Sequence, residues 1–106
     1  MSDYVADVKK YSSGADEAAV TAIENYLGKG ILAQRDASMV ACSDPEELKR
    51  VRENFCKKKL GLSQSDDEID AVLQSICQQM SGDNSKSRVT FYYLAAEKTG
   101  TLGKLT

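Results

Sequence analysis

Three cysteines, at positions 42, 56 and 77, are the residues of this 106-residue chain with the most reactive side chains. Their odd number and wide spacing match neither a disulfide framework nor the C-x-x-C pair of a zinc site. We therefore expect reduced thiols, mostly buried as small hydrophobic side chains. Cys42 also precedes a predicted helix, whose amides could lower its thiol pKa, so a thiol-dependent enzyme is one hypothesis.

The rest of the composition offers little support for catalysis. The chain has no histidine, which removes the commonest general base and the commonest transition-metal ligand. The acidic run "DDEID" lacks the spacing of a calcium loop, and "GKG" lacks the second half of a phosphate-binding glycine signature. We predict no catalytic, cofactor-binding or metal-binding residues, and therefore a protein that is not an enzyme.

A basic cluster is the second candidate for function, because six cations lie within residues 49–59. The candidate basic patch comprises Lys49, Arg50, Lys57, Lys58, Lys86 and Arg88. A stripe of this kind could contact nucleic-acid phosphates. However, Glu46 precedes Arg50 by four residues and Glu53 precedes Lys57 by four, which favours ion pairs along a helix. With a net charge of −2 as well, nucleic acid is the less favoured partner.

An aromatic cluster is the third candidate. The segment "KSRVTFYYLAAEKTG", residues 86–100, holds three of the seven aromatic residues. A lone short strand would be unstable, so a helix over 86–99 is predicted. At 100° per residue its apolar side chains sweep most of the circle, which places it in the middle of a bundle or leaves a spare face for a partner. The candidate interaction surface is Phe91, Tyr92, Tyr93 and Leu94.

The remaining elements that must position these residues also read as helices. A first helix ends near Lys10. A second begins near Asp16 and carries an apolar stripe that reaches Ile31. Gly28 and Gly30 interrupt this stripe, so the helix either ends near residue 29 or continues through a weak point; we favour the end. The segment "DASMVAC" could add one or two helical turns.

Two further helices have clear start signals. Ser43 with Glu46 has the spacing of a capping box, Pro45 falls in the first turn, and Gly61 ends this helix. Its inner stripe is formed by Leu48, Val51 and Phe55. The next helix begins with the second box, Ser65 with Glu68. Its predicted core face comprises Ile69, Val72, Leu73, Ile76, Cys77 and Met80.

Together these elements predict a single all-α domain over residues 1–106, an irregular array of five or six helices. The N-terminal sequence carries acids where a signal peptide needs basic residues and an apolar run. No apolar stretch approaches the roughly 20 residues that span a bilayer. We expect a cytoplasmic protein without a membrane partner.

The blocks "SDYVADVKKY", "VACSDPEELKRVRENFCKKKLGL" and "KSRVTFYYLAAEKTGTL" resemble a family of short bacterial proteins that is catalogued only as a domain of unknown function. The resemblance covers nearly the whole chain. It implies a small, helical, cytoplasmic bacterial protein, and it transfers no functional residues.

The leading hypothesis is a non-enzymatic protein-binding module, with an unknown protein or a second copy of the chain as partner. It rests on the excess of apolar surface on the last helix and on the missing catalytic set. A weak nucleic-acid-associated factor that uses the helix at 49–59 is the alternative.

Overall fold

A computed structural model of the chain shows helices where the sequence has apolar stripes flanked by capping residues. The structure describes residues 4–34, 39–82 and 86–105, except for the side chains of Lys29 and Ile31. In chain order the elements are α1 (Tyr4–Lys9), α2 (Glu17–Leu27), α3 (Lys29–Ala33), α4 (Pro45–Arg50), a π-helix (Val51–Lys59), α5 (Asp66–Gln79), α6 (Arg88–Lys98) and a 3-10 turn (Leu102–Lys104). The predicted all-α fold is confirmed.

Helix α6 is the centre of this array. Its eight consecutive residues from Val89 to Ala96 are all buried. Helices α1, α2 and α5, the π-helix and the 3-10 turn all contact it. Thr90, the one polar residue among the eight, is buried as well, and its hydroxyl donates a hydrogen bond to the Asp7 carboxylate. A helix that is apolar nearly all round is stable only when its neighbours surround it in this way.

The second helix ends where its first glycine changes the backbone direction. Asp16 caps the start of α2, since its carboxylate accepts a hydrogen bond from the backbone N–H of Ala18 at 3.0 Å. Gly28 has a positive φ of 85°, a conformation that favours glycine. The short helix α3 follows, so the favoured end near residue 29 is confirmed. The side chain of Ile31, which the alternative of a continuous helix would keep in register with the apolar stripe, lies outside the described side chains.

No helical turn forms at the described end of the "DASMVAC" segment. Met39 instead pairs with Ser87 in an isolated antiparallel bridge, and Val40 beyond it is buried. Residues 36–38 of the predicted turn lie outside the described part of the chain. The bridge ties this segment to the start of α6.

The prediction of a capping box at Ser43 is wrong, because the N-cap of α4 is Asp44. The Asp44 carboxylate accepts a hydrogen bond from the backbone N–H of Glu46 at 3.0 Å. Pro45 then occupies the first helical position, where its missing N–H leaves no donor unsatisfied. The prediction that Ser65 caps α5 is confirmed, since its hydroxyl accepts a hydrogen bond from the backbone N–H of Glu68 at 3.3 Å.

The predicted core faces of the two middle helices are confirmed. Leu48, Val51 and Phe55 are buried on the α4 and π-helix side. On α5, Ile69, Leu73, Ile76 and Met80 are buried, whereas Val72 and Cys77 are partly buried at its edge. The long helix predicted up to Gly61 changes its hydrogen bonding midway, because Leu60 N–H donates to Phe55 O, five residues back, at 2.9 Å.

We expect Asp44→Ala to lower the free energy of unfolding by about 1 kcal/mol, because it removes the cap of α4. Urea denaturation measures the change. The matched control is Ser43→Ala, which should stay within roughly 0.5 kcal/mol of the original chain. A larger loss for the serine variant than for the aspartate variant would contradict the assignment of the cap.

Candidate interaction surface on the π-helix

The four residues predicted as an interaction surface lie in the core instead. Phe91, Tyr92, Tyr93 and Leu94 are at most 6% exposed. The sequence pattern left open whether α6 was central or had a spare face, and its neighbours cover it on every side. The phenol groups find internal partners: Tyr93 Oη accepts from the backbone N–H of Asp16 at 2.8 Å, and Tyr92 Oη accepts from Arg88 at 3.1 Å. The surface for a partner must lie elsewhere.

The candidate basic patch is divided by the fold. Arg88 is buried against the Glu47 carboxylate and also donates to Met39 O at 3.0 Å. Lys57 pairs with Asp66 and, at 3.0 Å, with Glu53. Of the other members, Arg50 pairs with Glu47 at 3.3 Å, Lys86 is half-buried, and Lys49 and Lys58 are exposed. These six cations therefore do not form one basic surface.

Ion pairs instead join the π-helix to α5. Arg52, whose side chain is 14% exposed, donates to both carboxylate oxygens of Asp70, at 3.0 and 2.9 Å, and to Glu53 at 2.8 Å. Hydrogen bonds to Glu53 and Asp70 raise the pKa of Arg52, and the bond from Arg52 lowers the pKa of Glu53. The predicted pair of Glu53 with Lys57 is confirmed. The hydrogen bond between Lys57 and Asp66 is the largest of the effects that raise the pKa of Lys57.

The pair of Glu47 and Arg88 is the most deeply buried ion pair among the described residues. Their side chains are 10% and 13% exposed. Burial by itself lowers the pKa of Arg88, but the neighbouring Tyr92 and Glu47 together raise it by more, so the net shift is upward. Burial raises the pKa of Tyr92, and Arg88 partly offsets this. The group fastens α4 to the start of α6, so it is a structural pair rather than a free binding site.

One large aromatic side chain is exposed at the surface. Tyr26, at the end of α2, is 41% exposed and is the only large hydrophobic residue of the described chain that is exposed. Its hydroxyl donates to the backbone oxygen of Asn54 at 3.2 Å, and Lys59 Nζ lies 5.5 Å from its ring centroid. Tyr26 lies 5.7 Å from the Phe55 ring, and Phe55 stacks on Tyr92 at 4.1 Å. An aromatic row thus runs from the core to the surface.

An open groove of about 510 Å³ surrounds the exposed end of this row. It is lined by Tyr26, Asn54, Lys58 and Lys59, which we call the Tyr26 face. Both lysines are exposed, and neither lies within ion-pair distance of a carboxylate in the described ranges. The face therefore combines an apolar ring with two positive charges that no carboxylate of the described ranges neutralises, and it is suited to an anionic ligand.

Three members of the Tyr26 face lie on the π-helix. Helices with hydrogen bonds over five residues are rare and occur frequently at functional sites. A helix with a wider turn shifts each later side chain relative to α4, and this offset sets which lysines line the groove. Periodicity at 3.6 residues could not reveal it. The sequence analysis placed Lys58 in the basic patch and counted Lys59 only among the six cations of residues 49–59, and it missed Tyr26 and the groove.

A second groove, of about 310 Å³, lies between α4 and α5. Its charged members include Arg52 and Asp70, which already bind each other. A ligand there would have to break this bidentate pair, which makes the site less favourable than the Tyr26 face.

Two of the cysteines are not free thiols. Cys42 and Cys77 form a disulfide, so the expectation of three reduced cysteines is wrong in the structure described. The two positions are distant in sequence but their Cα atoms are 5.9 Å apart. Cys56 is buried, and burial raises its pKa to about 12. A thiolate enzyme acting through Cys42 has no thiol available in this state.

Within residues 4–34, 39–82 and 86–105, no three Cys, Asp or Glu side chains are arranged to hold a metal ion. None of the helices in the same ranges is both long and apolar enough to cross a bilayer.

A family model described as a protein of unknown function, DUF2853, matches residues 3–103. The match spans nearly the whole chain, and the chain belongs to this family. The resemblance drawn from the three sequence blocks is confirmed, whereas the bacterial origin stays a prediction. No curated protein matches the chain.

Removal of the buried guanidinium should be costly. We expect Arg88→Met to lower the free energy of unfolding by about 3 kcal/mol, because it leaves Glu47 without its buried partner. Chemical denaturation at neutral pH gives the value. Arg50→Met is the matched control, since Arg50 contacts the same carboxylate from a position that is 64% exposed; it should cost less than about 1 kcal/mol. Equal losses for the two variants would contradict the structural role of the buried pair.

Proposed function

We propose that this member of the DUF2853 family is a non-enzymatic protein-interaction module, and that the Tyr26 face binds an acidic segment of a partner protein. The observation that carries the proposal is the exposed Tyr26 ring beside Lys58 and Lys59, in a groove on a π-helix. The other large apolar side chains of the described ranges are buried or only partly exposed, so this face offers a partner the one large apolar side chain that is exposed there.

Charge decides the kind of partner. Lys58 and Lys59 complement carboxylates, while the tyrosine ring supplies apolar contact between them. A nucleic acid is less well suited, because its affinity depends on several phosphate contacts made together. Lys57 and Arg88, two of the cations that such contacts would need, are held in internal ion pairs.

The Tyr26 ring is held in place before a partner arrives. Its hydroxyl bonds to Asn54 O, and its ring rests against Phe55, which stacks on the buried Tyr92. A side chain fixed in this way loses little conformational entropy on binding. This favours specific recognition of a short segment, although the face is small.

The chemistry of the chain supports binding rather than catalysis. There is no histidine to act as a general base. In the oxidised state the cysteines are a disulfide pair and one buried thiol whose pKa is raised to about 12, so none of them supplies a ready nucleophile in that state. The proposal includes the expected cytoplasmic location, which fractionation of the native cells would test.

The test is a selection from a library of random short linear peptides, followed by fluorescence titration of an enriched sequence. We expect enrichment of Asp and Glu, and binding that weakens as salt rises. Tyr26→Ala, and separately the pair Lys58→Ala with Lys59→Ala, should each weaken binding by about tenfold or more. The pair Lys49→Ala with Lys98→Ala removes the same charge from exposed positions outside the face and should change binding less than about twofold.

Three results would overturn the proposal. Enriched peptides without acidic character would contradict the partner chemistry, and equal losses in the two lysine pairs would contradict the site. Tight binding of mixed-sequence DNA or RNA at low salt, lost in the Lys58 and Lys59 variant, would favour the nucleic-acid alternative. Light scattering at two concentrations adds a check, since self-association lost on Tyr26→Ala would make a second copy of the chain the partner.

A further inference from the structure

The disulfide joins two parts of the chain that have different surroundings. Cys42 lies in the segment 39–44 that leads into α4, and Cys77 lies in the last turn of α5, 35 residues further on. We propose that this bond is a redox switch: the oxidised form fastens the start of α4 to α5, and reduction by a dithiol releases it.

The segment 39–44 has one fastening at each end. At its beginning, Val40 N–H donates to Lys86 O at 2.8 Å and Arg88 donates to Met39 O at 3.0 Å, which tie it to the start of α6. At its end, the disulfide ties it to α5. Between them the backbone N–H of Asp44 donates to Ala41 O in a local turn, which by itself attaches the segment to no other helix. Cleavage of the disulfide therefore removes the tie to α5 and leaves residues 41–46 between two ties to α6, at Val40 and at the Glu47–Arg88 pair.

Both sulfur-bearing residues lie at the surface of the fold. Cys42 and Cys77 are half-buried, and each has exposed neighbours in sequence, such as Ser43 and Gln78. Thiol–disulfide exchange requires a thiolate to reach one of the sulfurs, and two half-buried residues are more accessible to it than two enclosed ones. A disulfide sealed inside the core would be protected from such a reagent.

The third cysteine does not interfere with the exchange. Cys56 is 1% exposed, and burial raises its pKa to about 12. At neutral pH it is a neutral thiol, which is a poor nucleophile. The released Cys42 and Cys77 thiols are therefore expected to re-form their own bond rather than exchange with Cys56.

The chemical step is a two-electron reduction. A thiolate of the dithiol attacks one cysteine sulfur, the Cys42–Cys77 bond breaks, and a mixed disulfide forms while the other cysteine leaves as a thiolate. The second thiol of the reductant then displaces the remaining cysteine. The dithiol is oxidised to its cyclic disulfide, and its two protons end on Cys42 and Cys77. Disulfides in reducing compartments are usually transient and redox-sensing, whereas those in oxidising compartments persist.

The core is expected to survive reduction. The central helix α6 is surrounded by α1, α2, α5 and the π-helix, and both Val40 and Leu48 remain buried by apolar contacts. A chain of this length can bury enough surface to fold without a covalent staple. Reduction should therefore loosen residues 41–46, between Val40 and the Glu47–Arg88 pair, while the rest of the fold persists.

The experiment uses the full chain, purified oxidised, and titrated with dithiothreitol and then with glutathione redox buffers. Alkylation followed by peptide mass spectrometry should report Cys42 and Cys77 as modified together after reduction, and Cys56 as unmodified in the folded protein. Hydrogen exchange at 41–46 should then accelerate by about tenfold or more, with α6 still protected. The melting temperature should fall by roughly 10–20 °C.

Two variants keep the interpretation clear. The pair Cys42→Ser with Cys77→Ser should reproduce the exchange pattern of the reduced protein without any reductant. Cys56→Ala should behave as the original chain does, with the same response to dithiothreitol. Absence of the disulfide in the oxidised preparation would overturn the proposal. So would resistance of the bond to glutathione buffers of cytosolic poise, unfolding of the whole chain on reduction, or unchanged exchange at 41–46.

Discussion

The constraint on which the structure depends is the burial of α6 around its whole circumference. Eight consecutive buried residues leave this helix no polar face along most of its length, so at least three other helices must pack against it. Its polar groups are accommodated locally, with Thr90 bonded to Asp7 and Tyr93 bonded to the backbone of Asp16. The hydrophobic effect thus sets the arrangement, and hydrogen bonds select one packing among the apolar alternatives.

The same constraint determines where a binding site can lie. Because residues 89–96 of α6 are used entirely for the core, a partner can meet this part of the helix only indirectly, through residues that rest upon it. The row of Tyr26, Phe55 and Tyr92 makes that connection, from an exposed ring to the core. The charged groups divide in the same way: Glu47 and Arg88 stabilise the interior, whereas Lys58 and Lys59 are left for solvent or a ligand.

The sequence predicted what periodicity and local signals determine. The helical fold, the central α6 and the cap at Ser65 follow from apolar spacing and start signals. The cap of α4 could also have been found, because a proline at the first helical position makes the residue before it, Asp44, the cap. The π-helix and the contact between Cys42 and Cys77 could not be predicted from the sequence, since both depend on tertiary packing. Tyr26 escaped notice because a lone tyrosine has no distinctive pattern.

Native-state hydrogen exchange of the α6 backbone amides tests the central claim most directly. If α6 is enclosed by its own chain, the amides of residues 92–95 should exchange only through global unfolding, with a free energy equal to that from chemical denaturation. Their protection should not change with protein concentration. Exchange through a much cheaper local opening, or protection that rises with concentration, would show that α6 has a face covered by another molecule and would contradict the account.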